Sequence, residues 1–184
     1  IAAGNIYILL FITAVVSLML GMGLPTTANY IVMASLTAPL ITEVGAGMGF
    51  IVPLIGAHLF CFYFGILADD TPPVGLAAYA AAAIAKSDPI RTGIQGFTYD
   101  MRTAVLPFFF IFNTDLILHN IHSWPQAIMI FIMTVLAAMC FASVAQGWFL
   151  TSNKIWEAPL LLAAMAILFN PAIPASLLGI DMSM

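Results

Sequence analysis

The sequence predicts an all-α polytopic membrane protein with about five to six hydrophobic segments, two of them discontinuous or re-entrant. The first observation behind this is the residue inventory. Of 184 residues, 63% are hydrophobic and 7% charged, and mean hydropathy is +1.10; a soluble domain carries about 25% charged residues. Four Lys/Arg and eight Asp/Glu cannot cover a water-facing surface, which excludes a soluble globular enzyme. A chain this apolar is not disordered either. A net charge of −4 with no basic stripe argues against nucleic acid as a partner. The second observation is that the few charges leave long gaps. The third is that Gly, Pro and Thr interrupt two otherwise apolar runs.

Residues 1–42, 44–68, 71–85, 103–114, 116–153 and 158–180 carry no Asp, Glu, Lys or Arg. A spanning helix needs about 20 mostly apolar residues. The first gap holds two segments, broken near Gly21–Thr27. The second holds one, Met48 to Leu67. Residues 71–85 are too short to cross and too apolar for a loop, which suits a half-helix. Val105–Leu118 is short, Ala127–Ser143 is a full span, and Ala158–Phe169 is short and precedes Pro171 and Pro174. The chain opens on Ile1 and enters Ile6–Leu20 with no basic region before it and no small-residue cleavage site after it, so it reads as a piece of something longer.

Three of the four basic residues, Lys86, Arg91 and Arg102, fall within 17 positions, which places 86–102 on the cytoplasmic side. Ser87-Asp88-Pro89 is a helix-start signal, and Pro89 to Arg102 reads as a short helix along the membrane surface. Thr103–Leu118 then runs outward to a turn anchored by Trp124, Ala127–Ser143 returns, and Lys154 falls inside.

The first break is Gly21-Met22-Gly23-Leu24-Pro25-Thr26-Thr27-Ala28-Asn29. Two glycines and a proline in five positions do not sustain a helix. Freed carbonyls at membrane depth are tolerated only inside protein or against a polar cavity. With the side-chain oxygens of Thr26, Thr27 and Asn29 they make ligands for a hard cation. The second break is Ala68-Asp69-Asp70-Thr71-Pro72-Pro73-Val74-Gly75-Leu76. Its double proline stops one helix and is placed to start the next, and its adjacent carboxylates at depth require a cation, a proton or water. The alternative for each is a solvated turn at the membrane surface. Paired breaks of this kind mark the discontinuous helices of secondary transporters. Both breaks are therefore expected to be non-helical and to meet at a shared polar site.

These residues resemble a known family. Gly21-Met22-Gly23-Leu24-Pro25-Thr26-Thr27-Ala28 looks like a re-entrant segment of the large membrane subunit of TRAP (tripartite ATP-independent periplasmic) transporters. Asp69-Asp70-Thr71-Pro72-Pro73-Val74-Gly75-Leu76 looks like that subunit's T-P-P-V-G motif. Stretches such as Phe62-Tyr63-Phe64-Gly65-Ile66-Leu67-Ala68 and Phe110-Ile111-Phe112-Asn113-Thr114-Asp115 look like the fused variety, in which small and large subunits form one chain with an added C-terminal region. The resemblance covers most of residues 15–120 and more loosely the remainder.

The resemblance implies a permease component in the bacterial inner membrane, multi-pass, taking organic acids from a periplasmic substrate-binding protein and driven by sodium through an elevator-like movement. It also implies one of two inverted repeats. Residues 1–85 would be the second transport-domain repeat, 86–102 a cytoplasmic surface segment and 103–184 a C-terminal transmembrane extension. The N-terminal half of the same permease would be a partner, as would membrane lipid. The sodium ion would be held at Gly23, Thr26, Thr27, Thr71 and Gly75, with Pro25, Pro72 and Pro73 shaping the breaks. Asp70 stands where an apolar residue is expected, and no role carries over to it.

Other chemistry is poorly supported. His119 and His122 lack an H-E-x-x-H context and a Cys partner, and read as interfacial polar residues. Cys61 and Cys140 lie in apolar runs and suggest neither a disulfide nor a metal knuckle. His58 and Asp69 are the ionisable residues expected inside the membrane. His58 is a functional candidate or a neutral imidazole bonded to another helix. Asp69 and Asp70 are neighbours and do not face each other on a helix; no G-x-S-x-G occurs. An enzyme is therefore not expected, and a non-transporting structural subunit of a larger complex is the alternative.

Overall fold

The computed structural model describes residues 5–119, 121, 123–149 and 151–170, apart from the Arg102 side chain. Within them run seven α-helices: α1 (Ile6–Gly21), α2 (Thr26–Gly47), α3 (Leu54–Asp70), α4 (Leu76–Ala85), α5 (Pro89–Phe112), α6 (Trp124–Gln146) and α7 (Glu157–Leu168). A 3-10 turn occupies Thr114–Ile117. Among the described residues there is no strand, only an isolated bridge between Trp148 and Ser152. The chain forms two compact units, the first ending at Phe112 and the second beginning at Asn113.

Helix boundaries follow local chemistry. Asn5 caps α1 by accepting from the amides of Tyr7 at 2.9 Å and Ile8 at 3.3 Å, which serves two of the orphan donors of the first turn. Pro53 precedes α3, and Asp88 accepts from the Arg91 amide at 2.8 Å at the start of α5. Helix α6 ends at Gly147 with φ 66°, so that the Trp148 amide reaches back to the Ser143 carbonyl at 3.2 Å. Glycine adopts that left-handed conformation without steric cost.

In the first unit, α1 and α2 form an antiparallel hairpin. The Ile6 side chain, at the start of α1, lies 3.6 Å from where a Cβ on Gly45 near the end of α2 would stand, and Asn29 of α2 bonds the Ser17 carbonyl of α1. Helix α3 runs back along α2: Cys61 approaches the Met33 carbonyl at 3.8 Å and the Thr37 hydroxyl at 3.2 Å. Helix α3 is the hub of the unit. Phe60 and Phe64 meet Phe108 of α5 edge-on at 5.3 and 5.7 Å, the geometry that aromatic quadrupoles favour. In lipid, helices are not pushed together by water, so close approach at small residues carries the association. Here Gly21, Gly65 and Ala68 supply it.

Two boundaries differ from the sequence expectation. The hydrophobic segment placed at Met48–Leu67 is a connection followed by a helix: α2 ends at Gly47, Gly49 takes φ 77°, the Phe50 amide turns back to the Gly45 carbonyl at 2.9 Å, and α3 starts at Leu54. Glycine punctuation without charge is invisible to charge spacing. The short helix expected to stop at Arg102 instead continues as α5 through Pro107 to Phe112. No Gly or Pro falls between Gly96 and Pro107, so nothing breaks the backbone where the composition changes.

Helices α2 and α6 are the two among the described residues that are long and apolar enough to cross a membrane, with 22 and 23 residues. In the second unit Trp124 and Trp148 stand exposed at the two ends of α6, the distribution of an aromatic belt. The Asn113 carboxamide donates to the Phe169 carbonyl just after α7 at 2.6 Å.

A Cβ on Gly21 would stand 2.2 Å from the Ala68 Cβ and 2.4 Å from the Asn29 carboxamide nitrogen. Gly21→Ala is expected to lower the melting temperature of the purified full-length protein, at an overpacking cost of roughly 1–3 kcal/mol or more. Gly47→Ala, whose Cβ meets nothing within 4 Å, should leave the transition in place or raise it.

Candidate functional site

The two breaks are shorter than the motifs that announced them. Only residues 22–25 and 71–75 lie outside helices; Gly21 belongs to α1, Thr26 to Asn29 to α2, and Asp69 with Asp70 to α3. At the first break the Met22, Gly23 and Leu24 amides still turn back to the Leu18, Leu20 and Gly21 carbonyls. Pro25 is the N-cap of α2, with ψ 144° and no side-chain cap. At the second, Thr71 is extended with ψ 121°, the Pro72-Pro73 bond is cis, and Gly75 is the N-cap of α4.

The breaks meet. The Thr26 hydroxyl, in the first turn of α2, donates to a carboxylate oxygen of Asp69 in the last turn of α3. A carboxylate at a helix N-terminus also meets the positive end of the helix dipole, so Asp69 supplies the charge that the uncapped α2 lacks. Gly75 is buried against the same helix end: a Cβ there would stand 3.1 Å from the Asp70 carbonyl oxygen and 3.2 Å from that of Asp69. The loop 71–75 therefore curls back over the two terminal carbonyls of α3, an approach that any Cβ at position 75 would crowd. Asp100 of α5 lies beside Asp70.

The remaining candidates are placed less centrally. The Thr71 hydroxyl turns back to the Leu67 carbonyl at 2.6 Å. Thr27, Pro25, Pro73 and Gly23 are exposed, and Pro72 is half-buried. His58 accepts or donates at 3.0 Å with the Tyr30 hydroxyl of α2, the helix-to-helix bond that was the alternative to a functional role. His119 is half-buried, and His122 lies outside the described residues.

The polar groups of the two breaks are all oxygen: the Thr26 hydroxyl on the Asp69 carboxylate, and the Asp69 and Asp70 carbonyls beside Gly75. Among the described residues no group of three or more His, Cys, Asp or Glu converges to hold a metal. Oxygen-only donors with few charges suit a hard cation of low valence rather than a transition metal.

Two residues of this region escaped the sequence reading. Ser17 looked like part of an apolar helix, and Asp100 like part of a surface segment. Ser17 is fully buried behind the first break. A small polar residue four positions before Gly21 was the available signal.

Comparison with known proteins identifies the family. Residues 1–127 match the family model described as "Tripartite ATP-independent periplasmic transporter, DctM component". Residues 127–178 match a model described as a domain of unknown function, DUF3394. No curated protein and no solved structure matches the chain. The matched family is one of membrane transporters and not of enzymes. Its model spans both breaks, α1 to α5 and the start of α6, and the chain therefore belongs to the DctM component family of tripartite ATP-independent periplasmic transporters.

Proposed function

We propose that this chain is the part of a sodium-coupled permease that binds the coupling ion and moves with it, taking up organic acids delivered by a periplasmic binding protein across the bacterial inner membrane. The observation that carries this reading is the meeting of the two breaks through Thr26 and Asp69. A structural subunit has no need to bring an uncapped helix start onto a carboxylate in so apolar a chain. The residues that would hold sodium are Thr26, Asp69 and the backbone around Gly75, with Thr71 held ready by its bond to Leu67. A bound sodium ion would supply the positive charge that lets a carboxylate sit among apolar helices. The chain's own contribution is to hold the oxygens at fixed spacing and keep water out. One repeat of an inverted pair, with an elevator-like movement, fits the family and the two-break design.

In the full-length protein reconstituted in liposomes, Thr26→Ala is expected to raise the sodium concentration for half-maximal uptake by roughly tenfold, the scale of one lost hydroxyl ligand in a closed site. Thr71→Ala should shift it in the same direction by less. Unchanged sodium activation in both variants, measured as initial uptake against external sodium, would remove the ion-binding reading.

We further propose that the start of α5 faces the cytoplasm, on the strength of Lys86, Arg91 and Arg102. Gln95 is exposed on that helix. With Cys61 and Cys140 replaced by Ala, Gln95→Cys should react with an impermeant maleimide only after the membrane is opened. Labelling from the periplasmic side of intact cells would reverse the orientation.

A further inference from the structure

Behind the Thr26–Asp69 contact lies a second polar feature. Asn29, one helical turn into α2, is fully buried. Its carboxamide nitrogen donates to the Ser17 carbonyl of α1 at 3.2 Å. The same nitrogen lies 2.4 Å from where a Cβ on Gly21 would stand and 3.6 Å from where one on Gly65 of α3 would stand. One side chain thus fills the slot where α1, α2 and α3 come together, and two of the slot's walls are glycine.

The slot is also costly. The Asn29 carboxamide oxygen and the Ser17 hydroxyl are both buried with no hydrogen-bond partner. Leaving such groups unsatisfied forfeits their hydration with nothing in return, and few native groups are left that way. An apolar side chain of similar size would pack here at lower cost. Stability therefore does not explain an asparagine at this position.

We infer that Asn29 is the positioning residue of the two-break site: its bond to Ser17 fixes the hairpin tip against the end of α3 and so sets Thr26 opposite Asp69. Asn29 and Thr26 occupy successive turns of one helix face, three residues apart, where side chains are neighbours. The Thr26 carbonyl and Tyr30 amide each lie 3.9 Å from the Gly65 Cβ position, so the carboxamide slot governs how far α2 sits along α3. A shift of that register separates the hydroxyl from the carboxylate without touching either. The inference rests on the ion-binding reading above.

The test compares Asn29→Leu with the unchanged full-length protein in liposomes, with sodium activation of uptake and thermal unfolding both measured. A purely structural Asn29 predicts sodium activation that superposes on the unchanged protein, with an equal or higher melting temperature once the unsatisfied oxygen is gone. A positioning Asn29 predicts a half-saturating sodium concentration raised roughly tenfold while the melting temperature holds. Asn29→Ala serves as the second variant; if neither assembles, Asn29 is a folding residue and the inference falls. If the unchanged protein itself shows no sodium activation, the ion-binding reading fails, and the inference with it. If that protein responds to sodium and Asn29→Leu follows it, the inference alone fails.

Discussion

Where Gly21 meets Ala68, α1 comes closer to α3 than a side chain at position 21 would allow, and the first unit is arranged around that contact. It brings the last turn of α1 and the first turn of α2 against the last turns of α3. Three helix ends then share one small volume. Each end brings backbone groups that its own helix cannot satisfy. In water the solvent would serve them; in a chain with this composition the protein must do so itself. Thr71 serves one of them, the Leu67 carbonyl, while Thr26 bonds the Asp69 carboxylate and Asn29 ties α2 to the Ser17 carbonyl of α1. The polar site follows from bringing the ends together.

The membrane class, the two breaks and most of the helix order were legible in the sequence because they rest on strong signals. Long charge-free runs admit few structures, and Pro-Thr-Thr and Thr-Pro-Pro inside apolar runs mark where helices stop. The family model agrees on the first 127 residues. The misplaced boundaries at Met48 and Arg102 have the opposite character. In the first case a helix ends on glycines within an uncharged run; in the second a helix continues across a change from polar to apolar without a breaker. Periodicity and charge report composition, while helix continuity depends on local backbone chemistry.

The site was legible as a place more than as a set of contacts. The motifs marked which residues leave the helix, and Thr26 and Gly75 do lie at the junction. Sequence spacing held no information that Thr26 would face Asp69, 43 positions away, or that the Thr71 hydroxyl would turn inward to Leu67. Those outcomes depend on the register of α2 along α3, which small residues at 21, 65 and 68 determine through close approach. Ser17 was hidden for the same reason, since a serine in an apolar helix is ordinary until the helix packed behind it is known.

Helix α4 has a mechanical consequence of its own. It leaves the junction at Gly75 and turns Ala78 and Ala82 inward, while Leu76, Tyr79 and Ile84 stand exposed. An alanine side chain has no rotamers to freeze, and helices usually lock together by fitting ridges of side chains into grooves. Here the inner face has almost no ridge, and α5 meets it with a glycine: a Cβ on Gly93 would stand 3.5 Å from the Ala78 Cβ and 3.3 Å from the Pro72 ring. The short helix is thus fastened beside the polar junction by close approach of backbones rather than by interlocking side chains.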